Sequence, residues 1–140
     1  MGIRIRGRRR DVGARLDKYG DRSTRALRRV HRDAAEKLAE VAGQMAPYDS
    51  REDGKGHLED SFVVETVRTT RNRVSYVVRS VGLKYAIWTH EAQYNLGPDS
   101  IAKSAGSPFV VGRKYLSRAV DYITGEWGLG ARARQALRRK

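Results

Sequence analysis

His90 and Glu91, inside "YAIWTHEAQYN" (residues 85–95), come nearest to catalytic chemistry in this chain. They form the first pair of H-E-x-x-H, in which two histidines four apart share one helix face and bind zinc while the glutamate acts as general base. The position four after His90 is Tyr94, so the second ligand is missing. His31 falls on a basic helical stretch and His57 in an acidic loop, and no spacing brings the three histidines together. His90 is expected instead to hydrogen-bond in the core or at an interface. Asp49, Asp53, Gly54 and Asp60 sit at the first, fifth, sixth and twelfth places of a calcium loop, but Arg51 occupies the third and the bidentate glutamate is absent. The glycines near 54, 56 and 106 lack phosphate-loop and dinucleotide spacings, and Ser61 has no G-x-S-x-G setting. Glu65 and Glu91 read as surface carboxylates rather than an acid/base pair. With no cysteine, disulfides, thiolate metal sites and thiol nucleophiles are removed, which suits a reducing cytoplasm. No catalytic residue, cofactor or metal is expected.

Charge is the chemistry the sequence does offer. The net charge is +13. Residues 1–32 hold twelve Lys and Arg against three Asp, and residues 130–140 hold five basic groups and no acid. The ninety-seven residues between hold twelve basic and thirteen acidic groups, so a neutral middle carries basic ends. Three sets of side chains are candidates for contact with DNA or an acidic partner. They are Arg4, Arg6, Arg8, Arg9 and Arg10; Arg22, Arg25, Arg28, Arg29 and Arg32; and Arg132, Arg134, Arg138, Arg139 and Lys140. The plainer alternative is solubilising tails. The aromatics, Trp88 and Trp127 among them, lie in the neutral middle and are little interleaved with arginine. That favours core and interface packing over base stacking. No apolar run approaches a membrane span, and "MGIRIRGRRR" has neither a signal-like apolar stretch nor a myristoylation Ser or Thr where Arg6 stands. A soluble protein made in the cytoplasm is expected.

These residues are positioned by elements legible in the pattern. "IRIRG" alternates like a short edge strand, and a short helix over residues 8–20 is expected to stop at Gly20. From a cap at Asp21 or Ser23, Leu27, Val30, Ala34, Leu38, Val41 and Met45 recur every three or four residues, with Ala26, Ala35 and Ala42 beside them. This long amphipathic helix ends before Pro47, and five arginines crowd its first turns against the helix dipole. A polar loop over 48–60 leads to "SFVVETVRTT" and "VSYVVRSV", which read as a β-hairpin. Leu83–Thr89 supplies a third strand or a helical turn, and residues 94–108 form a long loop. Tyr115, Leu116, Ala119, Val120 and Ile123 share a face of a later helix, after which Gly125, Gly128 and Gly130 loosen the basic end. The fold class is α+β, with a long amphipathic helix and a shorter C-terminal helix packed on a small antiparallel sheet. The expected organisation is a basic arm or short strand at 1–20, one domain at 21–124 and a Gly-bearing basic tail at 125–140.

The order of these motifs resembles the small neck proteins of long-tailed bacteriophages, called tail-completion, head–tail joining or minor capsid proteins. The matching residues are Ala46 and Pro47 closing the helix; Leu58, Ser61 and Phe62 opening the strand; Tyr85, Ala86, Trp88 and Glu91; and Tyr115, Leu116 and Ala119. The chain departs from the pattern at Ala92, where a Gly-bearing turn is usual, and in its long charged loop after Pro47. The resemblance covers about residues 20–124 and implies a non-enzymatic virion protein. It implies copies of the chain in a ring at the head–tail junction, touching connector, stopper, terminator or tail-tube proteins, with DNA in the channel. It implies no cofactor, membrane or small-molecule substrate. Trp88 and Tyr85 would fill the core or a subunit boundary, loops 48–60 and 93–112 would touch neighbours, and the His90–Glu91 pair would orient the loop after it. The rival reading is a basic module that binds nucleic acid without sequence preference.

Overall fold

The computed structural model describes residues 9–48, 56–70 and 73–138, with side chains from Arg15 onward apart from Thr69. Helix α1 runs unbroken over Arg9–Met45. Its 37 residues span about 55 Å at 1.5 Å per residue. The expected stop at Gly20, with a new cap at Asp21 or Ser23, does not occur. A glycine inside a helix costs about 1 kcal/mol relative to alanine, and it ends the helix only where the following chain is held in another direction. A Cβ on Gly20 would meet nothing beyond its own helix within 4 Å, so no packed neighbour redirects the chain there. The edge strand expected at residues 3–7 lies outside the described residues.

After a short 3-10 turn at Leu58–Asp60, strands β1 (Phe62–Thr70) and β2 (Arg73–Ser80) pair antiparallel, from Phe62 opposite Ser80 to Thr70 opposite Arg73. The register slips between Thr66 and Arg68, a bulge that leaves Val67 as the extra residue. The segment that could have been a third strand is instead α2 (Ala86–Glu91), so the sheet has two strands among the described residues. Within the expected long loop lies α3 (Pro98–Ala105), opened by Pro98 at its first position and Asp99 in its first turn. Helix α4 (Tyr115–Thr124) follows as expected, except that Val120 turns outward at 45% exposure. The basic C-terminal segment is helix α5 (Leu129–Arg138), packed against α1.

The core gathers around the C-terminal half of α1. Val41, Ala42, Met45 and Ala46 meet Leu58, Ala86, Tyr115 and Ala119, and Phe62, Leu83 and Leu116 pack against them. Tyr115 is its largest buried side chain; its hydroxyl donates to the Ala86 carbonyl at 2.7 Å, so the one polar atom of the ring is satisfied. Phe62 and His90 both set their rings edge-on to it.

The end of α1 is held by distant chain. A helix leaves its last carbonyls without partners. The Lys103 ammonium on α3 donates to the Gly43 and Ala46 carbonyls at 2.8 and 3.1 Å and to Glu59 Oε2 at 2.6 Å. The Gly112 N–H donates to the Met45 carbonyl at 2.9 Å. This closure brings the 3-10 turn so near that a Cβ on Gly43 would stand 2.7 Å from the Glu59 carbonyl oxygen.

Gly20 and Gly43, both inside α1, therefore respond oppositely to alanine. Gly20→Ala should raise stability by about 0.5–1 kcal/mol through helix propensity alone. At Gly43→Ala the same gain is outweighed by a displaced backbone, for a net loss of about 1–2 kcal/mol. Urea unfolding of both variants checks this, and equal shifts of the same sign would refute the close approach.

Candidate functional site

Helix α2 and the turn after it hold the residues with the most suggestive chemistry. His90 is nearly buried, 13% exposed in its side chain, with Nδ1 2.6 Å from Glu91 Oε1. Glu91 also accepts from Lys114 Nζ at 2.7 Å. The His90 carbonyl accepts the Lys114 N–H at 2.8 Å, and Lys114 itself takes a left-handed conformation at the start of α4. The pair thus fastens α2 to α4. Tyr94, standing where a second zinc ligand would be, donates its hydroxyl to the Thr89 carbonyl at 2.8 Å and stacks on Trp88. Among the described residues no group of three His, Asp or Glu side chains could hold a metal ion.

The Lys114 ammonium first, and His90 second, hold the Glu91 carboxyl below the usual glutamate range. Burial raises the Tyr115 and Tyr94 hydroxyls above theirs, and lowers Arg118. Arg118 is kept in place by carbonyls, donating to Val110, Gly112 and Arg113.

The resemblance motif divides in two. Ala46, Leu58, Ala86, Tyr115 and Ala119 are buried in the core, and Phe62 and Leu116 pack on it. Pro47 follows the end of α1, half-buried. Ser61 donates to the Leu58 carbonyl and meets the Ser80 hydroxyl at 2.7 Å, tying the hairpin's open end to the 3-10 turn. Tyr85 and Trp88 are not core residues: Tyr85 is 38% exposed and Trp88 61%, beside Ile87 at 79%. Only six residues long, α2 buries one residue, Ala86, and turns Ile87 and Trp88 outward beside Tyr85, which precedes its first turn.

The arginines also separate. Arg22, Arg25, Arg28, Arg29 and Arg32 do not crowd the first turns of α1, because the helix begins at Arg9 and places them mid-helix. The dipole acts within the terminal turn, so the expected electrostatic cost disappears. Arg22, Arg25, Arg28 and Arg29 meet Arg132 along a groove between α1 and α5. Arg32 pairs instead with Glu36 at 2.9 Å, an exposed pair of small energetic weight. Arg134 and Arg138 are exposed on α5. Arg9 and Arg10 have backbone in α1 but side chains outside the described set, and Arg4, Arg6, Arg8, Arg139 and Lys140 lie outside the described residues. Leu16 and Tyr19 were not singled out by sequence, yet they are 66% and 63% exposed on α1. The signal was present, since both continue the apolar stripe of Leu27 and Val30 backward across the supposed break at Gly20.

A long helix, a hairpin fastened to its C-terminal end and an exposed aromatic turn define the fold. A family model described as "Bacteriophage HK97-gp10, putative tail-component" matches residues 10–89, more than half of the chain. The chain belongs to the HK97-gp10-like family. The matched residues take in α1, the hairpin and the first turn of α2, leaving α3, α4 and α5 beyond them. No curated protein and no solved structure matches the chain. Membership supports a structural role for this HK97-gp10-like protein among phage tail components, and hence a place in the virion. No helix among the described residues is long and apolar enough to cross a membrane.

The lowered pKa of Glu91 gives a pH signature. A carboxyl held below its unfolded value stabilises the fold above the ordinary glutamate range and loses that contribution as pH falls through the lowered value. Thermal melts of the wild type and Glu91→Gln should therefore differ most near neutral pH and converge in acid. A difference independent of pH would show that Lys114 and His90 do not act through the charge.

Proposed function

We propose that this tail-component protein is a non-enzymatic subunit that assembles with copies of itself into a ring at the head–tail junction, joining tail to head around the DNA path. The observation that carries the reading is the exposed apolar turn Tyr85–Trp88. Ile87 and Trp88 stand together in solvent on a subunit whose core is already closed around Ala86 and Tyr115. Adjacent large apolar side chains left exposed on a folded subunit mark a protein contact. Such a contact between unlike faces of identical subunits closes into a ring when its rotation closes. Residues 93–112, which include α3, and residues 48–60 would meet neighbouring subunits or the connector, stopper, terminator or tail-tube proteins above and below. The His90–Glu91 pair serves this arrangement by fixing the exposed turn to α4, a positioning role with no metal, small-molecule or membrane partner.

Cryo-electron microscopy of the phage particle tests the assignment: closed ring density for this subunit at the neck is expected, and its absence from every particle would overturn it. Particles assembled without the protein should leave unjoined heads and tails. Ile87→Ser with Trp88→Ser should abolish joining while costing the subunit only about 1 kcal/mol, the worth of the lost stack of Trp88 on Tyr94. Loss of joining only in company with unfolding would remove the contact role. The rival nucleic-acid module rests on the arginines alone, and would show binding that falls with salt at roughly −0.9 log units per phosphate contacted.

A further inference from the structure

The groove between α1 and α5 is more than a basic surface. It is an open surface groove of about 1500 Å³. That is roughly three turns of an α-helix 10–12 Å across. Its floor is apolar: Tyr19, Val30, Trp127 and Leu137 line it, with Tyr19 63% and Leu137 38% exposed. The floor continues the stripe that α1 buries further along in the core, so the helix carries one apolar face, covered at its C-terminal half and open here. Around the floor stand five arginines against one acid, Asp33.

The arginines are unequal. Arg132 lies over the Trp127 ring at 4.1 Å and donates to the Trp127 carbonyl at 3.0 Å. Arg25 donates to the Asp21 carbonyl, and Arg28 to the Thr70 carbonyl. Arg22 and Arg29 have no hydrogen bond or ion pair among the described residues. Seven residues apart on one helix, they stand about 10 Å from each other along the same face. Carboxylates at i and i+7 of an adjacent helix have that same spacing, with apolar residues between them to meet the floor.

We infer that this groove docks an acidic amphipathic helix of a neighbouring virion protein, with its apolar face on Tyr19 and Leu137 and its carboxylates on Arg22 and Arg29. The inference rests on the assembly reading and names the chemistry of one partner. Duplex DNA is the poorer fit, because its accessible backbone offers phosphates and sugars but no apolar face for the exposed floor. Base stacking is restricted too, since Arg132 already covers Trp127.

Solution binding to the full chain tests it, with Trp88→Phe making Trp127 the sole indole reporter. The probes are a synthetic Leu/Glu amphipathic helical peptide of about 14 residues, its scrambled sequence, and a duplex of about 20 base pairs. The ordered peptide should bind at least roughly tenfold tighter than the scrambled one and shift Trp127 emission. Tyr19→Ser with Leu137→Ser should weaken it about tenfold, as should Arg22→Glu with Arg29→Glu. Both pairs are exposed or rim positions, and unchanged circular dichroism verifies folding. Raising salt to about 0.5 M should weaken the duplex far more than the peptide. Equal binding of ordered and scrambled peptides, indifference to Tyr19→Ser with Leu137→Ser, or displacement of peptide by duplex at both salt levels would each overturn the inference. A subunit found in the neck ring that fails this test sinks the groove alone. A subunit absent from the neck that passes it keeps the groove and loses the ring.

Discussion

The closing of α1 at its C-terminal end is the contact on which the rest of the fold depends. Four chain segments meet there: the last turn of α1, the 3-10 turn, α3 and the Gly112 turn. One ammonium, that of Lys103, bridges three of them by serving the Gly43 and Ala46 carbonyls and Glu59 together. Its side chain is 17% exposed and that of Glu59 31%. An ion pair so far removed from water gains little net energy by itself, but removing either partner leaves a charge stranded. Ser100 strengthens the same joint by accepting from the Tyr48 N–H and donating to the Tyr48 carbonyl, at 2.8 and 2.9 Å. The chain leaving the helix is thereby pinned for three residues beyond its end.

From this joint the core follows. With α1 stopped and the 3-10 turn pressed against Gly43, Leu58 and Phe62 are delivered to the face of Val41 and Met45. Tyr115 then fills the space between α1 and α2, and its hydroxyl closes the polar balance at Ala86. The first half of α1 has a different office. From Arg15 onward it buries little, is flanked by arginines and packs against α5, and its stripe stays partly open to solvent. One helix thus closes the core at one end and leaves an open apolar stripe bordered by arginines at the other.

The elements with strong local signals were legible in the residues. The hairpin read true because two Val-rich runs flank a short polar link, and α4 because Tyr115, Leu116, Ala119 and Ile123 keep a helical period. The end of α1 was legible at Pro47. The start of α1 was not, because a glycine with free space around it neither breaks a helix nor shows that it will not. Helix α3 was hidden for the opposite reason. Its eight residues hold one large apolar side chain, the exposed Ile101, and its purpose is the reach of Lys103 to carbonyls about sixty positions earlier. The exposure of Trp88 was equally invisible, since an aromatic beside a buried alanine has the same local pattern in a core as on a surface.

By itself, then, the sequence determined the fold class, the stripe of α1, the hairpin, the basic ends and a resemblance to the family whose model matches residues 10–89. Each of these is local, or a sum over local residues. Tertiary structure alone decided that Lys103 caps α1, that Gly43 admits the Glu59 backbone, that Trp88 faces outward, and that arginines from α1 and α5 border one apolar groove. Those facts depend on residues far apart in the chain arriving within a few ångströms of each other. No periodicity or composition encodes that distance until the chain has folded.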